Sequence, residues 1–405
     1  MRIIKALLFI SMFAAVSSAQ AVPISLGFDL VGLTVFSNTY TSVGANSIVY
    51  GSMLGGDVST TGANAVVHGD YTSVNATNVG GGTSKVYGNV VSGGVLTVGG
   101  ATGGTLPGPL VTGSITSTGA STIGAYAQVR GDMLSGGVAT TGANSVVGAK
   151  GIGSVLSNGA ATTGDTAIVH GNIWSGDFST IGAISIIDGN VDGAGNVYTN
   201  VISGSATVGS ENNVTTPPDL SAVRTDVLAE AQQVTEAQTT LFNMGLGTTL
   251  SAGVYSAASF STTAGTTLTL RGDGSDNLSW VFNIADILAF GGVTDIVMEN
   301  VGDNASVYWN SYAGYITSGD GSNVIGTLLA DTYIMVGANA TVSDIGTSCG
   351  AVYSATSYVT AGDSAVIGGT GCSAVSVPEP ASVLLFGFGL FALFGLAGIA
   401  SRKKV

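Results

Sequence analysis

Short runs of Val, Ile, Ala, Ser and Thr alternate with glycine-centred turns along most of this chain, and the turns keep a phase. Gly51, Gly69, Gly88, Gly113, Gly131, Gly151, Gly171 and Gly189 recur at intervals of 18, 19, 25, 18, 20, 20 and 18 residues. A second series, Gly44-Ala45-Asn46, Gly62-Ala63-Asn64, Gly124-Ala125-Tyr126, Gly164-Asp165-Thr166 and Gly182-Ala183-Ile184, precedes the first by seven residues in most copies. The runs between turns are too short for helices and are rich in β-branched residues, so each period reads as one coil of a β-solenoid. Strands stacked coil on coil lie ~4.8 Å apart, so side chains at one phase of the repeat form a row along the body.

The pattern predicts an all-β solenoid with one long α-helix packed alongside. Residues 28–210 form the first solenoid segment, with an irregular insert at Gly99–Pro109 that stretches one interval to 25. Over residues 216–245 the period changes. Leu220, Val223, Val227, Ala231, Val234 and Leu241 fall near helical spacing, with Arg224, Asp226, Glu230, Gln233 and Glu236 on other faces. Thr216 supplies an N-cap, Pro217 the first helical position, Asp219 an acidic first turn and Gly245 a stop. Such a helix needs a partner for its apolar stripe, and the flank of the solenoid is the available one. Strand patterning resumes over residues 248–370.

Composition narrows the function classes. The chain has 405 residues, 45% hydrophobic, with 63 glycines and only 8% charged residues, which fits many coils that bury narrow cores against their neighbours. The formal charge is −14, and five of the ten basic residues (Arg2, Lys5, Arg402, Lys403, Lys404) sit in the end segments. Lys85, Arg130, Lys150, Arg224 and Arg271 make no basic stripe, which argues against nucleic acid and other anionic polymers. The scattered basic residues, and the lack of carboxylates converging with them in a cleft, argue against an enzyme. No cofactor is implied.

Both ends read as addresses. Arg2 and Lys5, the apolar run Ala6–Val16 and the small residues Ser17-Ser18-Ala19 make residues 1–21 a secretory signal peptide. Residues 381–400 are an uninterrupted apolar stretch long enough to span a bilayer, closed by Arg402, Lys403 and Lys404. Pro378-Glu379-Pro380, that span and the basic end, together residues 377–405, resemble the PEP-CTERM sorting signal of Gram-negative bacteria. The resemblance implies an exosortase as processing partner, membrane attachment until the tail is processed, and a destination at the cell surface or in the exopolysaccharide matrix. Cys349 and Cys372, in the exported part, are a candidate disulfide.

Gly253-Val254-Tyr255, Thr267-Leu268-Thr269-Leu270, Trp280-Val281-Phe282-Asn283-Ile284, Val307-Tyr308-Trp309-Asn310, Gly326-Thr327-Leu328-Leu329-Ala330 and Gly337-Ala338-Asn339-Ala340-Thr341-Val342 follow one another in an order that resembles the ice-binding protein family with a discontinuous β-solenoid domain. The resemblance covers residues 216–367. Residues 28–210 match in style only and read equally as a polymer-forming or adhesive solenoid fused ahead. It implies ice, or ordered water, as the ligand and a Thr-(Ala/Gly)-x-(Thr/Asn) motif on the binding face. That motif occurs at Thr61–Asn64, Thr102–Thr105, Thr141–Asn144, Thr163–Thr166 and Thr263–Thr266. The copies led by Thr61, Thr141 and Thr163 share one repeat phase. The candidate face residues are therefore Thr61, Asn64, Thr141, Asn144, Thr163, Thr166, Thr263 and Thr266, although Gly-Ala-Asn would equally serve to turn a corner. A β-branched hydroxyl side chain suits such a face because its χ1 is restricted before binding. Val43 and Val336, where other coils have Thr, interrupt the expected row.

Weaker candidates remain. His68 and His170 share a phase, where a solenoid acyltransferase could carry a base, but they also fit partly exposed turns. Asp273, Asp276 and Asn277 could bind Ca²⁺ or form an Asx-type turn. Trp174, Trp280, Trp309, Tyr308, Tyr312 and Tyr315 could line a sugar strip or fill the core. The alternative function is a structural or adhesive matrix solenoid that binds exopolysaccharide or itself.

Overall fold

The computed structural model describes residues 32–101, 107–149, 152–193, 197–198, 239–240, 247–343, 345 and 350–369. They build three parallel sheets of fifteen, fourteen and fourteen strands, here called faces A, B and C. Each coil contributes one short strand to each face. A typical strand alternates inward and outward residues, as in Leu96–Val98, where Leu96 and Val98 are fully buried and Thr97 faces out.

Coil order in space is not coil order in sequence. The stack from Leu33–Ser37 climbs in steps to Val191–Gly193, and a second stack climbs from Thr239–Thr240 and Gly253–Ala257 to Ala351–Ser354. The last coil of the second stack then pairs with the first coil of the first: Phe36 with Tyr353, Thr41 with Val359 and Ile48 with Val366. The chain therefore leaves the top of the solenoid after Tyr198, re-enters at the bottom, and closes the body in its middle. The junction adds a hydrogen bond from Tyr353 Oη to Leu33 O, at 2.5 Å, and one from Ala45 N to Asp363 Oδ1, at 2.8 Å.

The corner between faces B and C is the same in twelve coils. Its residue takes a left-handed conformation, with φ of 58° at Asn46, 60° at Asn64, 55° at Asn144 and 57° at Thr166, and even at Tyr126, Ile184 and Val293. The glycine two positions earlier is required for a different reason. A Cβ on Gly142 would lie 2.5 Å from Ala125 N and 2.6 Å from the Gly124 carbonyl carbon in the coil below. Thr263 stands in that slot only in the lowest strand of face B, which has no face-B strand beneath it.

At the corner between faces C and A a second device links the coils. Ser52, Asp70, Asn89, Ser114, Asp132, Ser154 and Asn172 each accept, through a side-chain oxygen, the backbone N–H of the equivalent residue one coil on, at 2.7–3.1 Å. This ladder shows that the glycine equivalent to Gly131 and Gly171 is Gly153 and not Gly151. A four-residue excursion, with an antiparallel bridge between Ala149 and Ile152, displaces the repeat there.

The first stack has a mainly aliphatic core, with Met53, Met133 and the ring of Tyr71 among its Val, Ile, Leu and Ala. The second is wider and filled by stacked rings, with Phe282 and Trp309 centroids 3.9 Å apart and Tyr255 on Phe282 at 5.1 Å. Ser279–Ile284 and Ser306–Ser311 are buried on both sides, as their continuous apolar runs require. On the outside of face A, Val254, Val281, Tyr308, Leu329, Tyr353, Phe36 and Leu54 form a second buried cluster separate from the core.

The expected helix over 216–245 lies outside the described residues except at Thr239–Thr240. Those two form a strand paired in parallel with Tyr255–Ser256, so a helix cannot run to 245. The signal peptide, Cys349, Cys372 and the sorting signal with its apolar span also lie outside. Among the described residues no helix is long and apolar enough to cross a membrane.

Candidate functional site

Face B of the first stack presents three parallel columns. Its central column is Ser42, Thr60, Asn78, Thr97, Thr122, Thr140, Thr162 and Thr180, each directly paired with the next. On one side runs an apolar border that includes Val95, Val138 and Phe178, which are 52%, 44% and 40% exposed. On the other side is the glycine column, closed to any Cβ by the coil below. None of these columns carries a charged residue over residues 42–182. Thr97, Thr122, Thr140, Thr162 and Thr180 have no side-chain hydrogen-bond partner among the described residues, so their hydroxyls are left to water. Only Thr60 is tied to its neighbour, with Oγ1 donating to Ser42 Oγ at 3.3 Å.

The motif residues expected on this face sit beside it. Thr61, Thr141 and Thr163 point inward and are 6%, 1% and 3% exposed, because successive strand residues alternate faces and the exposed threonine is the one before. Thr61 Oγ1 accepts from Gly80 N at 3.0 Å and Thr163 Oγ1 from Gly182 N at 3.2 Å. Asn64, Asn144 and Thr166 are the left-handed corner residues, linked along the stack by Thr166 Oγ1 donating to Asn144 Oδ1 at 2.6 Å and by Thr83 N donating to Asn64 Oδ1 at 2.9 Å. Thr263 is exposed at the bottom of the solenoid, while Thr266 is buried and donates to Thr263 O at 2.7 Å. Val43 and Val336 fill the same inward slot as Thr61, so they leave the exposed row intact. They also carried the missed signal: a slot that accepts Val in some coils faces the core.

Thr141 Oγ1 is buried without a hydrogen-bond partner. Thr141→Val is therefore expected to raise stability by about 1 kcal/mol, since it removes an unpaired buried hydroxyl at nearly constant shape. Thr61→Val, which removes the one acceptor of Gly80 N among the described residues, is expected to lower stability by about the same amount. Thermal melts of the two variants check this, and neither change is expected to alter the exposed row.

Face B of the second stack is less regular. Its central column reads Ser261, Ala289, Thr317, Met335 and Thr360, and Met335 is 44% exposed. Its border is a ladder of stacked rings, Tyr315, Tyr333, Tyr358 and Tyr40, with centroids 4.5, 5.0 and 4.8 Å apart, and the last step crosses the junction. The rings cover one another's faces and leave edges to solvent, which is poor geometry for stacking a sugar.

The remaining candidates resolve into structure. His68 is stacked between Tyr50 and Tyr87 at 4.8 and 4.9 Å, and burial there holds its pKa below the usual histidine value. His170 Nδ1 lies 2.6 Å from Asp188 Oδ2 at the same corner. Asp273 Oδ1 accepts from Ser275 N at 3.0 Å and Asp276 Oδ1 from Asp303 N at 2.8 Å, which are turn and stacking bonds. Among the described residues no group of three or more His, Cys, Asp or Glu is placed to hold a metal ion. Trp280 and Trp309 are core residues, Tyr308 belongs to the outer cluster on face A, and Trp174 is half-buried on face A.

Comparison with known proteins gives two family matches: residues 135–367 match the ice-binding-like family, and residues 376–404 match the PEP-CTERM protein-sorting motif, which marks the chain for export and C-terminal processing. No curated protein matches the sequence. Among solved structures, an ice-binding protein from the Antarctic ascomycete Antarctomyces psychrotrophicus is 20% identical, covers 54% of this chain and 93% of its own, and superposes with a TM-score of 0.29. The DUF3494 domain of Shewanella frigidimarina ice-binding protein_1 is 22% identical, covers 53% and 93%, and gives 0.28. An ice-binding protein from an Antarctic Flavobacteriaceae bacterium is 12% identical, covers 86% and 98%, and gives 0.24. Identities and scores this low carry no functional argument, and the weight rests on the family match, which spans more than half of the 405 residues. On that match the protein belongs to the ice-binding-like family.

Proposed function

We propose that this exported protein adsorbs to ice through face B of its first stack and thereby limits ice growth and recrystallisation, without catalysing a reaction. The observation that carries the reading is the uncharged, in-register row of outward threonines, flanked by apolar residues on one side and glycine on the other. Each threonine offers a hydroxyl to hold water and a methyl to order it, and the stacked sheet fixes all of them before contact. Little conformational entropy is then lost on adsorption. Charged groups, which organise water around themselves, are absent from the face-B strands over residues 42–182. The C-terminal signal supports retention at the cell surface or in the exopolysaccharide matrix after exosortase processing, with membrane attachment before it.

The test is capture of the full-length protein into a slowly growing ice front, together with recrystallisation inhibition. Enrichment in the ice fraction is expected. Exclusion of a folded sample into the liquid overturns the proposal.

The helix reading attaches to a specific surface. The outer cluster on face A spans seven coils, six spacings or about 29 Å, and a helix over residues 220–238 would be about 28 Å long. We assign Leu220, Val223, Val227, Ala231 and Val234 as its cover. Val227→Asp is expected to lower stability by about 3 kcal/mol, through an unpaired charge against that cluster, while Glu230→Gln leaves the melt unchanged.

A further inference from the structure

Residues 32–134 lie outside the family match, and in sequence they look like a separate module ahead of it. In space they lie inside it. The matched region contributes coils at both ends of the solenoid, one group over residues 135–193 and the other over 247–367. Among the described residues no strand of one group pairs with a strand of the other. The last coil of the second group pairs instead with Thr41–Val43, and the first strands of the first group pair with Ile115–Ser117 and Ser121–Ile123. Five coils, starting at Leu33, Ser52, Tyr71, Val90 and Ile115, are intercalated between them, which lengthens the body by about 24 Å.

We infer that these five coils are an internal extension of the ice-adsorbing face. This rests on the reading of face B proposed above. Register across face B is kept at both joins, with Thr360 beside Ser42 and Thr122 beside Thr140. The side-chain ladder at the corner between C and A runs through the upper join without a break, from Ser114 to Asp132 to Ser154. Residues 32–130 contain four charged residues, Asp57, Asp70, Lys85 and Arg130, and none is in a face-B strand. Face A is equally free of charge over these residues, but its outward column mixes Leu54 and Val91 with Thr72 and Thr116, whereas the face-B column of Ser42, Thr60, Asn78, Thr97 and Thr122 is polar and uncharged throughout. That column continues the chemistry of the matched coils, and Thr60, Thr97 and Thr122 continue their row. On a rigid body each added coil adds contact with no new ordering cost, so adsorption strengthens with coil number as in other multivalent binding.

The test compares full-length Thr97→Tyr/Thr122→Tyr, on the intercalated coils, with Thr140→Tyr/Thr162→Tyr, on matched coils, and with a deletion of residues 52–69. The deletion removes one whole coil and brings Gly51 into the place of Gly69 ahead of Asp70. Thermal melts establish that each variant folds, and ice capture reads adsorption. Both tyrosine pairs are expected to lose about tenfold or more, a loss of the size seen for a central interface residue. The deletion variant is expected to fold and to adsorb measurably less than the parent. Parental adsorption in Thr97→Tyr/Thr122→Tyr and in the deletion, with loss in Thr140→Tyr/Thr162→Tyr, overturns the inference and makes the five coils a spacer, while the proposed function stands. A parent that does not adsorb overturns both.

Discussion

Thr140→Tyr/Thr162→Tyr is expected to fold normally and to lose at least about tenfold in ice adsorption, a change of roughly 1.4 kcal/mol or more. The two side chains are adjacent in the central column of face B, with no bonding partner among the described residues to lose, so stability is unaffected beyond a few tenths of a kcal/mol. Two phenol rings side by side stand well above the plane of the threonine methyls and hold the face off a flat lattice over several coils. The control is Thr141→Val/Thr163→Val, one residue along each strand. Those positions face the core, and their replacement is expected to leave adsorption at the parental level. Equal losses in both pairs would mean that the effect is global and that face B is not the adsorbing surface.

Gly142→Ala carries the largest expected effect on stability, a loss of about 3 kcal/mol or more. The added methyl would meet backbone atoms of the coil below at 2.5 and 2.6 Å, and backbone within a stacked sheet cannot step aside as a flexible side-chain end can. Relief requires the coils to separate locally, which breaks bonds such as that from Gly142 N to Ile123 O at 2.7 Å. Thr263→Ala, in the equivalent slot with no face-B strand beneath it, is expected to cost less than about 0.5 kcal/mol. Denaturant melts of the two variants check the contrast. A mild Gly142→Ala would show that the coils breathe apart easily and that the glycine column serves flatness alone.

The local features of this fold were legible in sequence because they are local in cause. Glycine phase marked the coils, since a tight corner and a close backbone approach each leave few residues that fit. Short β-branched runs between corners meant strands, and the aromatic runs at Trp280–Ile284 and Val307–Asn310 marked the stack that carries the family resemblance. The four extra residues near Lys150 shifted the count from Gly153 to Gly151, because an excursion that itself contains glycine mimics the repeat.

Two things were decided only in three dimensions. The first is which threonine faces out. Val138-Ala139-Thr140-Thr141-Gly142 offers two neighbours of one type, and a motif of spacing cannot fix parity when the side-chain period is two. Packing fixes it, because the slot of Thr141 is held by Val43, Val98 and Ile123 in other coils and those must be buried. The second is coil order. Each coil specifies a shape that stacks on any equivalent coil, so the sequence determines the repeat and its edges but not which edges meet. The closing of the last coil onto the first, with the intercalated coils between the two parts of the family match, depends on contacts between residues more than 300 positions apart, and no local pattern records them.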